Sequence, residues 1–336
     1  MKLEMKRKME NEEKNDYKII KMSDITSEEI AWLWYPFIPF GKLTIIQGDP
    51  GEGKTTFALN LAAKLSRGEA LEGGESDKVP EPVKIIYQTA EDGLADTVKP
   101  RLEATGAESS NVLVIEESDR SLSMIDERLE KALSDTGARI LILDPIQAYL
   151  GGGMDMNRAN EARDMTKKLG GLAEKYKCAV LLIGHMNKAS GNKAAYRGMG
   201  SIDFYAVARS VLLVGRVKDD DSLRAVVQIK NNLAEFGHSK AFRLEAGQFI
   251  WIGDYDITAD ELLNGVAPKE SKKGKAIELL KRFAKEGIPV QSNDIFEAAQ
   301  DENISKRTME MTKKELGIVA KKIGNSWYWE LGKLSD

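Results

Sequence analysis

The 336-residue chain has 42 % hydrophobic and 30 % charged residues and a net charge of −4, which suits a soluble globular protein of one large or two medium domains. A single cysteine, Cys178, and two histidines exclude an internal disulfide and a multi-cysteine metal centre. No apolar run approaches the roughly 20 residues that span a bilayer, and the mixed-charge start Met1-Lys2-Leu3-Glu4-Met5-Lys6 lacks an apolar h-region. No membrane partner, no secretory signal and a reducing, cytoplasmic setting are therefore expected.

In chain order, residues 1–22 read as a charged tail with little apolar content. Residues 23–262 alternate short apolar strands with helical patterns. The strands are Leu43–Ile46, Lys84–Gln88, Val112–Ile115, Ile140–Leu143, Ala179–Gly184, Ser210–Val214, Arg224–Ile229 and Phe249–Ile252. The helices are Thr55–Leu65, Leu94–Ala104, Ile125–Ser134, Ala159–Tyr176 and Ile202–Ala208. Such alternation predicts an α/β domain with a mainly parallel, two-sided sheet, and the closely spaced last strands predict an antiparallel edge. Trp32, Trp34, Tyr35 and Phe37 are expected to cover the sheet edge, and Cys178 to be buried. Gly68–Pro82 reads as a polar surface excursion.

Residues 263–274 turn to Pro, Ser, Gly and Lys, a linker composition. Residues 275–333 then show three short helical patterns: one with Ile277, Leu279, Leu280 and Phe283, one capped by Ser292, and one from Ser305 to a stop at Gly317. A hairpin signal at Gly324-Asn325 follows. Three helices plus a hairpin predict a small winged-helix domain. In it, Trp327 and Trp329 alternate with Tyr328, so one face is expected to pack the core. Residues 268–336 hold 14 Lys and Arg against 11 Asp and Glu, a weakly basic balance compatible with DNA.

The sharpest chemical signal is Gly48-Asp49-Pro50-Gly51-Glu52-Gly53-Lys54-Thr55, a G-x-x-x-x-G-K-T loop between a strand and a helix. Gly48, Gly51 and Gly53 let backbone N–H groups face a phosphate, Lys54 reaches the β/γ oxygens, and Thr55 offers a hydroxyl to Mg²⁺. Thr56 continues the loop into the helix, whose N-terminus favours anions. Asp49 and Glu52 occupy variable positions that contribute mainly backbone, so neither receives a catalytic role. Asp144 ends the apolar run Ile140–Leu143; alone it could simply cap a helix, but joined to the loop it is the expected second organiser of the metal. Glu91 lies two residues beyond the strand ending at Thr89. Its position is compatible equally with a water-activating carboxylate and with a helix N-terminal acid.

The order of the loop, Glu91, Asp144, Gly184-His185, Arg197-Gly198-Met199-Gly200-Ser201-Ile202-Asp203 and Arg209 resembles the RecA-like AAA-family ATPases of mobile elements. Within these it is most similar to RepA-like hexameric replicative helicases. The resemblance covers roughly residues 23–260. It implies a RecA-like fold with ATP and Mg²⁺ as cofactors, Glu91 as catalytic carboxylate, and His185 as a sensor of the γ-phosphate. It also implies that Arg209 and Lys230 serve a neighbouring subunit's site, within a homo-oligomer expected to be a hexamer. Arg101 resembles an arginine that follows the catalytic Glu, and Gln147 a glutamine near the nucleotide. Lys193 and Arg197, with Tyr196, lie where RecA-like motors contact single-stranded DNA. Lys306 and Arg307, on the third C-terminal helix, are placed to contact duplex phosphates; the same helix could instead dock protein. The expected activity is a DNA-acting ring motor, with a nucleotide-switched regulatory or partition ATPase, or a helicase loader, as the alternative.

Overall fold

A computed structural model describes residues 19–71, 81–117, 119–150, 159–186, 202–265, 272–284, 288–302, 304–324 and 326–331. Met1–Ala31 is a unit by itself; its described part, residues 19–31, holds one 3₁₀ turn at Met22–Asp24 and is exposed, without other regular structure.

The second unit, Trp32–Asp336, is built on a nine-stranded sheet. Its strands are β3 (Leu43–Gly48), β4 (Ile85–Thr89), β5 (Val112–Leu113), β6 (Ile140–Asp144), β7 (Ala179–His185), β8 (Ser210–Arg216), β9 (Leu223–Asn231), β10 (Lys240–Glu245) and β11 (Gln248–Asp254); β1 (Trp32–Trp34) and β2 (Ile38–Pro39) form a separate hairpin. Their spatial order is β11-β10-β9-β8-β3-β7-β6-β4-β5. The six strands from β8 to β5 run parallel, and β9, β10 and β11 add the expected antiparallel edge. β10 escapes a sequence pattern search because Lys240 and Arg243 interrupt its apolar alternation.

Helices cover both faces, as a parallel sheet buried on both sides requires. On one face lies α1 (Lys54–Ser66), whose Phe57, Ala58, Leu61, Ala62 and Leu65 form an apolar stripe at helical spacing. Ile46, Tyr87, Ile142, Ile183, Val214 and Val226 point to it. Also on this face, α2 (Lys99–Ala104) contributes Leu102. The opposite face packs Leu43, Ile45, Leu141, Leu143 and Leu182 against α3 (Glu127–Thr136), α4 (Ala159–Tyr176) and α5 (Ile202–Val207). Cys178 is buried there, and burial pushes its thiol up to about 12. Trp34 and Phe37, with ring centroids 4.2 Å apart, join Phe57, Phe242, Phe249 and Trp251 in an aromatic cluster over the β10–β11 edge of the sheet.

After α6 (Ala259–Asn264) the chain forms α7 (Lys272–Ala284), β12 (Val290–Gln291), α8 (Ser292–Asp301), α9 (Lys306–Glu315), β13 (Val319–Ile323) and β14 (Ser326–Glu330). The three strands make an antiparallel sheet in the order β12-β14-β13, and Leu279, Leu280, Ile295, Met309 and Trp329 share a core with it. Ser292 is the first helical residue and not the cap, because β12 runs extended to Gln291. Ser305 does cap α9, accepting from Thr308 N at 3.1 Å, and Gly317 turns the chain out of it with φ +66°. Trp329 is buried, whereas Trp327, nearer the hairpin tip, is exposed.

Candidate nucleotide site

The glycine loop leaves β3 at its carboxyl end, between β7 and β8 in the middle of the sheet. Gly48 is dictated by space: a Cβ there would stand 2.1 Å from the Val214 carbonyl oxygen. Gly53 is dictated by conformation, since its φ of +89° turns the loop into α1. Gly51 is exposed, and Thr55 and Thr56 are half-buried in the first turn of α1.

Lys54 is buried at the base of the loop. Its Nζ donates to the Gly48 carbonyl at 3.0 Å and the Asp49 carbonyl at 2.8 Å, and lies 3.3 Å from His185 Nδ1. Burial lowers its pKa, against the pull of Asp144, Glu52, Asp49 and Glu91. His185 comes alongside because β7 and β3 pair in register, Gly48 opposite His185.

Asp144 ends β6, buried, and two groups hold its carboxylate. Tyr87 Oη on β4 donates to Oδ2 at 3.1 Å, and the Thr55 hydroxyl is hydrogen-bonded to it. Burial raises the Asp144 pKa; the Thr55 and Tyr87 bonds oppose this, Asp92 adds to it, and Lys54 opposes it. Thr55 and Asp144 thus bring a hydroxyl and a carboxylate oxygen together beside the loop. That donor set fits Mg²⁺, which takes few protein oxygens and keeps most of its water. Among the described residues no group of three or more His, Cys, Asp or Glu could hold a metal without such help.

Glu91 lies exposed beyond β4, near enough for its charge to act on Lys54. Arg101 pairs at 2.7 Å with Asp92, a carboxylate whose charge also acts on Asp144. The helix expected over Leu94–Ala104 begins as a π-helix, Leu94–Val98, before becoming α2. π-turns of this kind gather at functional sites. Gln147 sits in a 3₁₀ turn after Asp144, with its Oε1 buried and without a hydrogen-bond partner. Tyr87 is the site residue that the motifs do not mark. Its one signal in the sequence is a tyrosine inside an apolar strand, whose hydroxyl must find a partner when buried.

Arg209 and Lys230 are not brought to this loop within the chain. Arg209 N donates to Leu43 O at 3.0 Å, at the amino end of β3, and Lys230 pairs with Val211 one residue into β8. The length of β3 separates them from the loop, on the order of 17 Å at roughly 3.3 Å per residue. The two cations face each other there. Lys230 donates to the Tyr205 and Ala206 carbonyls at 2.6 and 3.0 Å, and burial, then Arg209, lowers its pKa. Lys193 and Arg197 lie outside the described residues. In the C-terminal region, Lys306 packs its ammonium over the Phe296 ring at 4.7 Å, while Arg307 is exposed.

A family model described as an AAA domain matches residues 15–191, more than half of the chain. The chain belongs to this family. Its loop, parallel sheet and strand-end Asp144 make it a RecA-like P-loop ATPase. Among curated proteins it is similar to DNA repair protein RadA of Halalkalibacterium halodurans, at 25 % identity over 150 residues, covering 44 % of this chain and 28 % of that protein. The same coverage and identity hold for RadA of Bacillus subtilis, and RadA of Campylobacter jejuni is 26 % identical over 150 residues, 44 % of this chain and 29 % of that protein. The chain thus spans less than a third of the length of these relatives. A solved KaiC-like protein from Pyrococcus horikoshii OT3 aligns with 64 % of this chain and 90 % of its own, at 15 % identity and a TM-score of 0.45. No helix among the described residues is long and apolar enough to cross a membrane.

Proposed function

We propose that the chain hydrolyses ATP as a ring motor that acts on DNA, in the manner of the RepA-like helicases its motifs resemble. The observation that carries the reading is the split of cationic groups between the two ends of β3. Lys54 and His185 stand at the loop, whereas Arg209 and Lys230 cluster at the far end, away from the loop of their own chain. Cations that meet the charge developing on a transferred phosphoryl group are useful only at a neighbour's loop, which a closed ring supplies.

Within one site, Lys54 exchanges its loop carbonyls for β- and γ-phosphate oxygens. Thr55 and Asp144 would hold Mg²⁺, with Tyr87 fixing the carboxylate. When bound, Mg²⁺ neutralises charge on the phosphates. Glu91 orients the attacking water and takes its proton, and His185, released from Lys54, reads the γ-phosphate. The name of the RadA relatives, DNA repair proteins, and the motif resemblance at Lys193 and Arg197 support single-stranded DNA as the partner. The C-terminal elements, read as a winged helix, would offer Arg307 to a duplex, with Lys306 engaged by Phe296.

The deciding experiment is ATP hydrolysis and strand separation by the full chain beside Lys54→Ala, Glu91→Gln and Arg209→Ala. Single-stranded DNA is expected to stimulate hydrolysis. A wild type that hydrolyses ATP at an unchanged rate with single-stranded DNA, yet binds one duplex sequence tightly, would replace the motor with a nucleotide-switched regulator.

A further inference from the structure

Arg224, at the start of β9, is opposite Arg216 on β8 and Phe242 on β10, and shares the α1 face with Val226. It is only 6 % exposed. Its guanidinium donates to the Asp221 carbonyl at 2.6 Å and the Leu223 carbonyl at 3.3 Å, yet its buried Nε has no acceptor.

The phosphate loop touches the strands on either side of this residue. Gly48 abuts the Val214 carbonyl, two residues before Arg216. Gly53 abuts Phe242, the register partner of Arg224, with a Cβ position 3.6 Å from the ring and 3.1 Å from Leu244. Between these two anchors sits Glu52, whose Oε2 is buried and has no donor. Glu52 is also one of the carboxylates acting on the Arg224 charge, with Asp221 and Asp220, against repulsion from Arg216.

A buried donor and a buried acceptor of opposite charge, each one hydrogen bond short and close enough for their charges to interact, are costly apart and favourable together. We propose that Arg224 is a positioning residue for the phosphate loop, holding Glu52 through an Nε–H to Oε2 bond in the nucleotide-bound state. The side chain at this variable loop position then ties the backbone N–H groups that meet the phosphates to the β8–β10 edge of the sheet. This inference rests on the reading that the loop binds ATP.

The test is steady-state ATP hydrolysis and titration with a fluorescent ATP analogue, using the full chain as wild type, Glu52→Gln, Arg224→Lys and the double variant, with Lys54→Ala as control. Each single substitution is expected to raise KM and the analogue's Kd about tenfold with kcat within about twofold, and the double to be no worse than either single. Additive losses, or a fall in kcat at unchanged KM, would overturn the proposal. Glu52→Gln changes a half-buried loop residue, so an unchanged KM in that variant alone also overturns it, whatever the folding of Arg224→Lys. Lys54→Ala separates the two ideas: unimpaired analogue binding there removes the loop as the ATP site, whereas lost binding there beside a silent Glu52→Gln removes only the Arg224 clamp.

Discussion

The two ends of β3 carry opposite designs. At the carboxyl end, Lys54, Thr55, Tyr87, Asp144 and His185 are tied to one another by hydrogen bonds and by strand register, much of the set buried. Such an arrangement is preorganised: its dipoles and charges are fixed before a reaction begins, which is where electrostatic catalysis is most effective. At the amino end, exposed Arg209 and half-buried Lys230 repel each other, and Lys230 is held by two carbonyls and the face of Tyr205, 4.9 Å from its ring centroid. No carboxylate among the described residues is shown paired with either cation. Under the proposed function, the contrast is between a half-site finished in cis and one completed by a second copy.

The largest effects should come from breaking the finished end. Lys54→Ala is expected to abolish nucleotide binding, and Glu91→Gln to cut hydrolysis by about 10²–10⁴ while ATP binding persists. An unchanged rate in Glu91→Gln, measured by phosphate release, would transfer the water-activating role to another group, with Asp92 next in line. Arg209→Ala should lower hydrolysis about 10²–10³ with ATP affinity retained, the loss expected for one transition-state donor. Mixing sharpens the comparison. In rings of Lys54→Ala and Arg209→Ala subunits, about a quarter of interfaces join an intact loop to an intact arginine, so the mixture should recover activity that neither variant has alone. No recovery in an oligomer shown by light scattering to be mixed would place Arg209 in a structural role.

The finished end is largely legible in sequence, and the reason is local. The loop, its strand and its helix are contiguous, so Gly48–Lys54 carries its own geometry, and Asp144 announces itself by ending an apolar run. Glu91 can be placed but not separated from a helix-starting acid, because the π-helix at Leu94–Val98 is a tertiary outcome with no local mark. Tyr87 is illegible as a site residue for a related reason: it meets Asp144 from 57 positions away. The proposed role of Arg224 is equally hidden, because only the register of β8, β9 and β10 sets it opposite Arg216 and Phe242. Lys306 carries a contact that its spacing on α9 does not announce: the exposed side chain sets its ammonium over the Phe296 ring of α8.

A smaller effect tests how much of the finished end depends on its supports. Tyr87→Phe removes one of two hydrogen bonds to the buried Asp144 carboxylate and leaves the Thr55 bond in place. Hydrolysis should fall about 3–10-fold, with a loss of roughly 1 kcal/mol in stability measured by denaturant unfolding. If the rate is unchanged, Thr55 alone fixes the carboxylate.

The smallest effect serves as the control for function. Asp126 caps α3 on the sheet face opposite α1, accepting from Arg128 N at 3.0 Å and pairing with the guanidinium groups of Arg128 and Arg120 at 3.0 and 3.1 Å. The Arg128 hydrogen bond holds its carboxyl at about 2, below the ordinary 3.8. A folded-state value below the unfolded one means that the stabilisation is complete above about pH 4 and drains away as the pH falls towards about 2. Asp126→Ala removes cap and charge together and should cost about 1 kcal/mol at neutral pH, with a flatter stability profile between about pH 4 and 2. Because this network is packed against the face that does not carry the loop helix, ATP turnover at about 25 °C should stay within about twofold of wild type. A large loss of turnover in a folded Asp126→Ala protein would mean that the two faces of the sheet are coupled, and that the nucleotide site extends through β6 to the α3 side.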